Sequence, residues 1–204
     1  MINIRPVCLG DLDALYAISL ATSYAGGDAS HLHNDPQITG QIYSAPYAVL
    51  EPHLCLVIED AKGVAGFAVG TINTRAWEDR LEKEWWPHLR VRYADPARGS
   101  KDAWSADERR AFMIHHPSRA PEALLSQFPS HLHMNLLPRI QGMGFGAEMF
   151  GRWQDMAVKR GSNGIHVGVN PANKRAIGFW ESLGFTELRL EGVERNRTIW
   201  MGFS

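Results

Sequence analysis

Residues Pro138–Phe150 read PRIQGMGFGAEMF, with Gly142, Gly144 and Gly146 at alternate positions directly after the apolar run HLHMNLLP. Glycine has no Cβ to hold a ligand away, so such a loop can bring backbone N–H groups close to an anion. Beyond the loop, Phe145, Met149, Phe150, Trp153, Met156 and Ala157 fall on one face at helical spacing. A strand, a glycine loop and a helix in that order put an anion at a helix N-terminus, where free N–H groups and the helix dipole favour negative charge. The stretch suits a dinucleotide, a nucleoside triphosphate, an acyl carrier, or a tight turn alone.

Of these, the dinucleotide reading is weak and the triphosphate reading fails. Gly142, Gly144 and Ala147 satisfy G-x-G-x-x-A, but a dinucleotide site needs an acidic residue closing the next strand. That strand, GIHVGVN, ends in Asn170. A triphosphate loop needs Lys-Ser or Lys-Thr after its last glycine, and here Gly146 is followed by Ala147-Glu148.

Outward from the loop, the 204 residues suit one domain, 1–204, with an elaborated insertion at about 74–129. INIRP alternates as a strand, and Asp11 is placed to cap a helix carrying Leu12, Leu15 and Ile18. HLCLVIED and GVAGFAVGTIN, joined at Asp60–Gly63, predict an antiparallel hairpin. The insertion holds Trp77, Trp85, Trp86 and Trp104 among charges and prolines and reads as short helices and loops of the kind that often cover a site. PANKRAIGFWESLG predicts a helix stopped at Gly184, and FTELRLEG with RNRTIWMGF a second hairpin.

Apolar residues make up 45% and charged residues 21%, with a formal net charge of −1, so bulk electrostatics favour neither nucleic acid nor an anionic membrane. No apolar run is long enough to span a bilayer, and the N-terminus lacks the pattern of a secretory leader. Cys8 and Cys55 read as buried free thiols, and the expected setting is cytoplasmic. His-x-His occurs at His31/His33 and His131/His133, a spacing that can chelate zinc, but no third ligand is evident and no metal is expected.

Gln141-Gly-Met-Gly-Phe-Gly146 has the form Q-x-x-G-x-G, and the later NPANKRAIGFWESLGF supplies Asn173-x-x-Ala176, an aromatic pair and Leu183-Gly184-Phe185. Together, in this order and on these elements, they resemble the acetyl-CoA site of the GNAT superfamily of N-acetyltransferases. IRPVCLGDLDALYAI looks like that family's first strand and helix. A narrower resemblance, carried by residues 34–74, EWWPHLRVRYADP and FPSHLHMNLLPRIQGMGFG, is to the acetyltransferase-like domain of O-GlcNAcases and its stand-alone bacterial relatives. The resemblance implies an α+β fold: a mixed, mostly antiparallel sheet of about six or seven strands flanked by helices, with splayed central strands. It implies acetyl-CoA as co-substrate, a primary amine as acceptor, direct attack in a ternary complex and, as in many members, a homodimer. The alternative is a catalytically degenerate domain that binds acetyl-CoA or a protein partner.

By that resemblance Leu136, Leu137 and Pro138 border the pantetheine arm, with a backbone N–H, assigned to Leu137, holding the oxyanion. Gln141, Gly142, Met143, Gly144, Phe145, Gly146 and Ala147 wrap the pyrophosphate, and Asn173, Ala176, Phe179 and Trp180 border the arm. Trp180 stands where many members have tyrosine, and an indole N–H is no proton source near neutral pH. The alternation of β-strand side chains puts His131, His133 and Asn135 on one face. His133 is the candidate base because an ordinary histidine titrates near neutrality; His115 and His116 are weaker candidates. Asp35, Tyr43, Tyr47, His131 and Asn135 are candidates to bind the acceptor, which the sequence does not identify.

Overall fold

In a computed structural model that describes residues 2–98, 100–190 and 198–204, the N-terminal alternation becomes strand β1 (Asn3–Pro6). A 3-10 turn at Leu9–Asp11 leads into helix α1 (Leu12–Thr22), which buries Leu15 and Ile18. Asp11 does not cap α1 as the sequence predicts. Its carboxylate takes a two-bonded fork from Arg5 (2.7 and 2.8 Å) and the N–H of Cys8 (2.8 Å), so it ties β1 to the turn instead. Arg5 holds the Asp11 carboxyl at about 2, below its ordinary 3.8. The stabilisation is therefore complete above about pH 4 and is lost as pH falls through 2. Asp11→Asn is expected to lower stability at pH 7 by about 2 kcal/mol. Urea titrations of both proteins at pH 7 and at low pH check this, because the difference between them should shrink in acid.

Two short helices, α2 (Ile38–Tyr43) and α3 (Ala45–Leu50), precede the expected hairpin of β2 (Cys55–Asp60) and β3 (Gly63–Thr71). The Trp-rich stretch folds as α4 (Thr74–Glu84), α5 (Trp86–Arg92), α6 (Ala106–His115) and α7 (Glu122–Leu125), with 3-10 turns between α5 and α6. Local chemistry starts two of these: Asn73 accepts from Ala76 N–H at α4, and Ser105 and Glu108 form a reciprocal capping box at α6. Strand β4 (Ser130–Leu136), helix α8 (Phe145–Val158), strand β5 (Ile165–Val169) and helix α9 (Lys174–Ser182) follow, then β6 (Thr186–Glu187) and β7 (Ile199–Phe203). The hairpin predicted here is antiparallel, with β7 rather than β6 beside β5; its residues 191–197 lie outside the described residues.

Among the described residues seven strands form one open sheet in the order β1-β2-β3-β4-β5-β7-β6, antiparallel except at β4–β5. Each face carries its own core. Trp153, Met149 and Phe150 of α8 pack with Leu132, Val167, Trp180, Phe185 and Met201 on one side. On the other, Leu15 and Ile18 of α1 join Tyr47, Phe67, Val69, Trp77, Trp86 and Ile114. The tryptophans at 77 and 86 thus fill a core, as large apolar side chains usually do. Cys55 is buried as expected, whereas Cys8 is exposed on the turn before α1. Among the described residues no helix is long and apolar enough to cross a membrane.

Candidate functional site

β4 pairs with β3 along its length, from Gly66↔Leu136 to Thr71↔His131, but with β5 only at Ser130↔Ile165 and His131↔His166. Beyond those residues the two parallel strands part. Peptide groups alternate sides along a strand. Ser130 N–H donates to Gly164 O (3.1 Å) on the β5 side and Leu137 N–H to Ala65 O (2.8 Å) on the β3 side. The peptide groups of Met134 and Leu136 therefore face the opening. This corrects the assignment of Leu137 as oxyanion donor and arm-binding residue: its N–H is already spent on β3. The gap-facing donors are those of Met134 and Leu136.

A cavity of about 820 Å³ occupies the opening. Its walls are Met134, Asn135 and Leu136 of β4, Pro138, Gln141, Gly142 and Gly144 of the loop, and Gly146 and Ala147 at the start of α8. Asn173, Ala176, Phe179 and Trp180 close the other side. Met143 and Phe145 stay out of it: Met143 is exposed at the loop and Phe145 packs against the α8 core. Gly142 and Gly144 have φ of 74° and 84°, where a side chain is strained, and an added Cβ at either would meet nothing within 4 Å. The loop is thus an open concavity floored by backbone. Glu148 N–H, bonded to Gly144 O, is the first of α8 to find an intrahelical acceptor, so the N–H groups of Phe145, Gly146 and Ala147 remain as donors at its N-terminus. Gly146 serves packing, since a Cβ there would lie 3.0 Å from the Phe179 ring.

Asn173 caps α9 through Oδ1, which accepts from Ala176 N–H at 3.0 Å. Its Nδ2 lies against Gly26, where a Cβ would come within 2.9 Å. Gly26 belongs to a turn, Tyr24–Gly27, held by two reciprocal backbone bonds and by positive φ at Ala25 (48°) and Gly26 (90°). This turn and Thr22 roof the cavity. The sequence reading missed Thr22, Gly26, Met134, Arg175 and Ser182, all of which line it. Arg175 was within reach, two residues beyond Asn173; Thr22 and Gly26 arrive by tertiary packing from more than a hundred residues away.

The predicted common face of His131, His133 and Asn135 exists, and it meets α1–α3. Asn135 Nδ2 donates to Thr22 Oγ1 (2.7 Å), whose one proton goes to Ile18 O (2.7 Å). The amide is thereby oriented, and Asn135 Oδ1 has no partner among the described residues. The half-buried His133 ring lies 5.6 Å from the centres of both Tyr43 and Tyr47, and among the described residues neither of its nitrogens is hydrogen-bonded. Burial first, then His166, pushes its pKa down to about 4. The expectation of a base tuned to neutral pH is corrected accordingly: His133 is neutral under ordinary conditions.

His131 and Tyr47 are core residues, which corrects their place among acceptor-binding candidates. Thr74 Oγ1 donates to Pro129 O and so accepts from His131 Nδ1–H, leaving Nε2 to accept from Tyr47 O–H (2.6 Å). With both nitrogens engaged, His131 cannot chelate a metal alongside His133. Burial holds His131 well below its usual pKa and raises that of Tyr47. Asp35 is also structural: it accepts from Arg92, from Tyr93 O–H and from Gln37 N–H, so it joins α2 to α5. Tyr43 Oη accepts from Arg110 (3.0 Å), and its ring contacts His133 at the edge of that face. His115 and His116 bond Tyr93 O and Asp95, away from the cavity. Trp180 is buried among Phe150, Phe179 and Phe185, with ring centres 4.9–5.8 Å apart, and only part of it reaches the cavity.

The acetyltransferase (GNAT) family model matches residues 122–185, which hold β4, the glycine loop and α9. Protein O-GlcNAcase of Rattus norvegicus and of Mus musculus are each 25% identical to the chain over 198 residues, covering 97% of it. The chain spans about a fifth of the length of these two proteins. The crystal structure of SsHAT superposes with a TM-score of 0.88 at 30% identity, covering 99% of this chain and 97% of that one. YncA from Salmonella typhimurium, solved with its cofactor acetyl-CoA, shares the fold at a TM-score of 0.54 and 17% identity, covering 99% and 92% of the two chains. The likeness to SsHAT along nearly the whole of both chains, with the family match over the cavity's own elements, identifies the chain as a member of the GNAT acetyltransferase family, an acyltransferase.

Proposed function

We propose that the cavity holds acetyl-CoA and that the chain passes its acetyl group to a primary amine by direct attack in a ternary complex. The observation that carries this is the parting of β4 from β5, which turns the Met134 N–H and C=O and the Leu136 N–H toward an open glycine concavity, with Leu136 O met by the Gln141 side chain. A pantetheine arm has amides to pair with those groups as an added strand would, and the N–H groups at the start of α8 suit its pyrophosphate. Asn173 Nδ2 is available to the arm, its Oδ1 being used in the cap. In this reading the domain is 1–204, and α4–α6 back the acceptor face.

The acceptor approaches from the side of His133 and Asn135. Asn135 Oδ1 takes one amine hydrogen, and neutral His133 offers a second hydrogen-bonding partner, so the lone pair is directed at the thioester carbonyl. The C–N bond forms, a gap-facing N–H of Met134 or Leu136 steadies the oxyanion, and the C–S bond breaks with its electron pair on sulfur. A thiol of pKa about 8.5 leaves as thiolate without full protonation. The excess proton on nitrogen goes to water.

Thiol release from acetyl-CoA, followed with a panel of primary amines, tests the reaction. Amine-dependent release supports it, and binding without turnover on any amine would support the degenerate alternative. The pH dependence is a sharper prediction. With His133 at about 4, kcat/KM should rise with the acceptor's own deprotonation and show no inflection near the ordinary histidine value of 6.5. His133→Gln should keep the profile's shape while lowering its height. An inflection at pH 6–7 that disappears in His133→Gln would show that this histidine is the titrating base.

A further inference from the structure

Gln141 bridges the opening. Its Nε2 donates to Leu136 O (2.5 Å), a gap-facing carbonyl of β4, and its Oε1 accepts from Arg175 (2.6 Å) on α9. Arg175 is the one charged side chain among the described residues that line the cavity. One carboxamide therefore satisfies the two groups that a ligand with an amide N–H and a phosphate would seek, a β4 carbonyl and a cation. Arg139, in the loop itself, is held by Asp60, Gly63 O and Val64 O and is not available for that role.

We propose that Gln141 is a latch over the pantetheine slot and that phosphate recognition by Arg175 releases it, so that donors lacking phosphate are discriminated against. This rests on the acetyl-CoA reading above. An arginine binds an anionic phosphate more strongly than a neutral amide oxygen, so an arriving phosphate takes Arg175 from Oε1. Gln141 then loses the anchor that keeps its Nε2 on Leu136 O. The freed carbonyl accepts from a pantetheine amide instead, exchanging one hydrogen bond for another. A truncated thioester such as S-acetyl-pantetheine brings the amide without the phosphate and must break the latch unaided.

The test measures binding of acetyl-CoA and of S-acetyl-pantetheine, the latter by competition, to the unchanged protein, to Gln141→Met and to Arg175→Ala. Gln141→Met keeps the side chain's bulk without its polar ends and should tighten S-acetyl-pantetheine binding about fivefold, the scale of one hydrogen bond no longer broken. Arg175→Ala should weaken acetyl-CoA by about tenfold or more, with no weakening of S-acetyl-pantetheine. Melting curves establish that each variant folds, and Gln141→Ala replaces Gln141→Met if the latter does not. Unchanged or weaker S-acetyl-pantetheine binding in the Gln141 variant overturns the latch. Equal weakening of both ligands in Arg175→Ala overturns the role of phosphate. Failure of the unchanged protein to bind acetyl-CoA is a separate result, which removes the cofactor reading itself and the latch with it.

Discussion

Gly70→Ala should be among the most damaging single substitutions in the chain. Gly70 lies in β3 opposite Leu132 of β4, and a Cβ there would fall 2.2 Å from His131 O and 2.6 Å from the Trp153 indole. Neither neighbour can retreat easily. The carbonyl belongs to the central strand, while Trp153 is fully buried and fixed by a bond from Nε1–H to Leu54 O (2.8 Å). Overpacking against rigid backbone lies at or beyond the upper end of the usual range, so a loss of about 3 kcal/mol or more is expected. In a chain of this length that corresponds to a fall in Tm of about 10 °C. Because Met134, Asn135 and Leu136 of β4 line the cleft, any folded fraction should also bind acetyl-CoA poorly. A melting curve within a degree or two of the original would show that β3 and β4 can part locally to admit a methyl group.

Trp180→Ala should be comparably severe, and its contrast with Trp180→Phe separates packing from chemistry. The indole is 6% exposed and packs edge-on against Phe150, Phe179 and Phe185. Truncating a buried tryptophan to alanine typically removes about 3–5 kcal/mol. Trp180→Phe preserves an aromatic ring in the same cluster and should lose about 1.5 kcal/mol or less, by analogy with other conservative core exchanges. If Trp180 is a wall and not a proton donor, turnover by Trp180→Phe should stay within about threefold of the original, well short of what loss of a general acid does. Collapse of turnover in Trp180→Phe with its melting curve unchanged would mean that the indole N–H takes part in the reaction.

Much of this was legible from local pattern. The alternation in CLVIED and GVAGFAVGT, the helical spacing from Phe145 to Ala157 and the stop at Gly184 correspond to observed elements. The two motifs, at Gln141–Gly146 and Asn173–Ala176, come together on opposite walls of one cavity. What the sequence could not supply is direction and competition. Leu137 is adjacent to Leu136 in the chain, yet its N–H faces β3, and only the register shows which of the two faces the gap. Tyr47 and His131 are both typical site residues, but each satisfies the other in the core. Asp11 stands in a cap's position, but Arg5, six residues earlier, outcompetes the helix for its carboxylate. His133 illustrates the same limit for acidity, because its low pKa comes from burial beneath rings contributed by α2 and α3.

The central claim is that the parted strands and the glycine concavity form an acetyl-CoA site, and calorimetric titration of the chain with acetyl-CoA tests it most directly. The account predicts saturable one-to-one binding with a dissociation constant below about 1 mM, within the range in which enzymes usually hold their substrates. Absence of binding at millimolar acetyl-CoA, by a protein whose melting curve shows it folded, would contradict it.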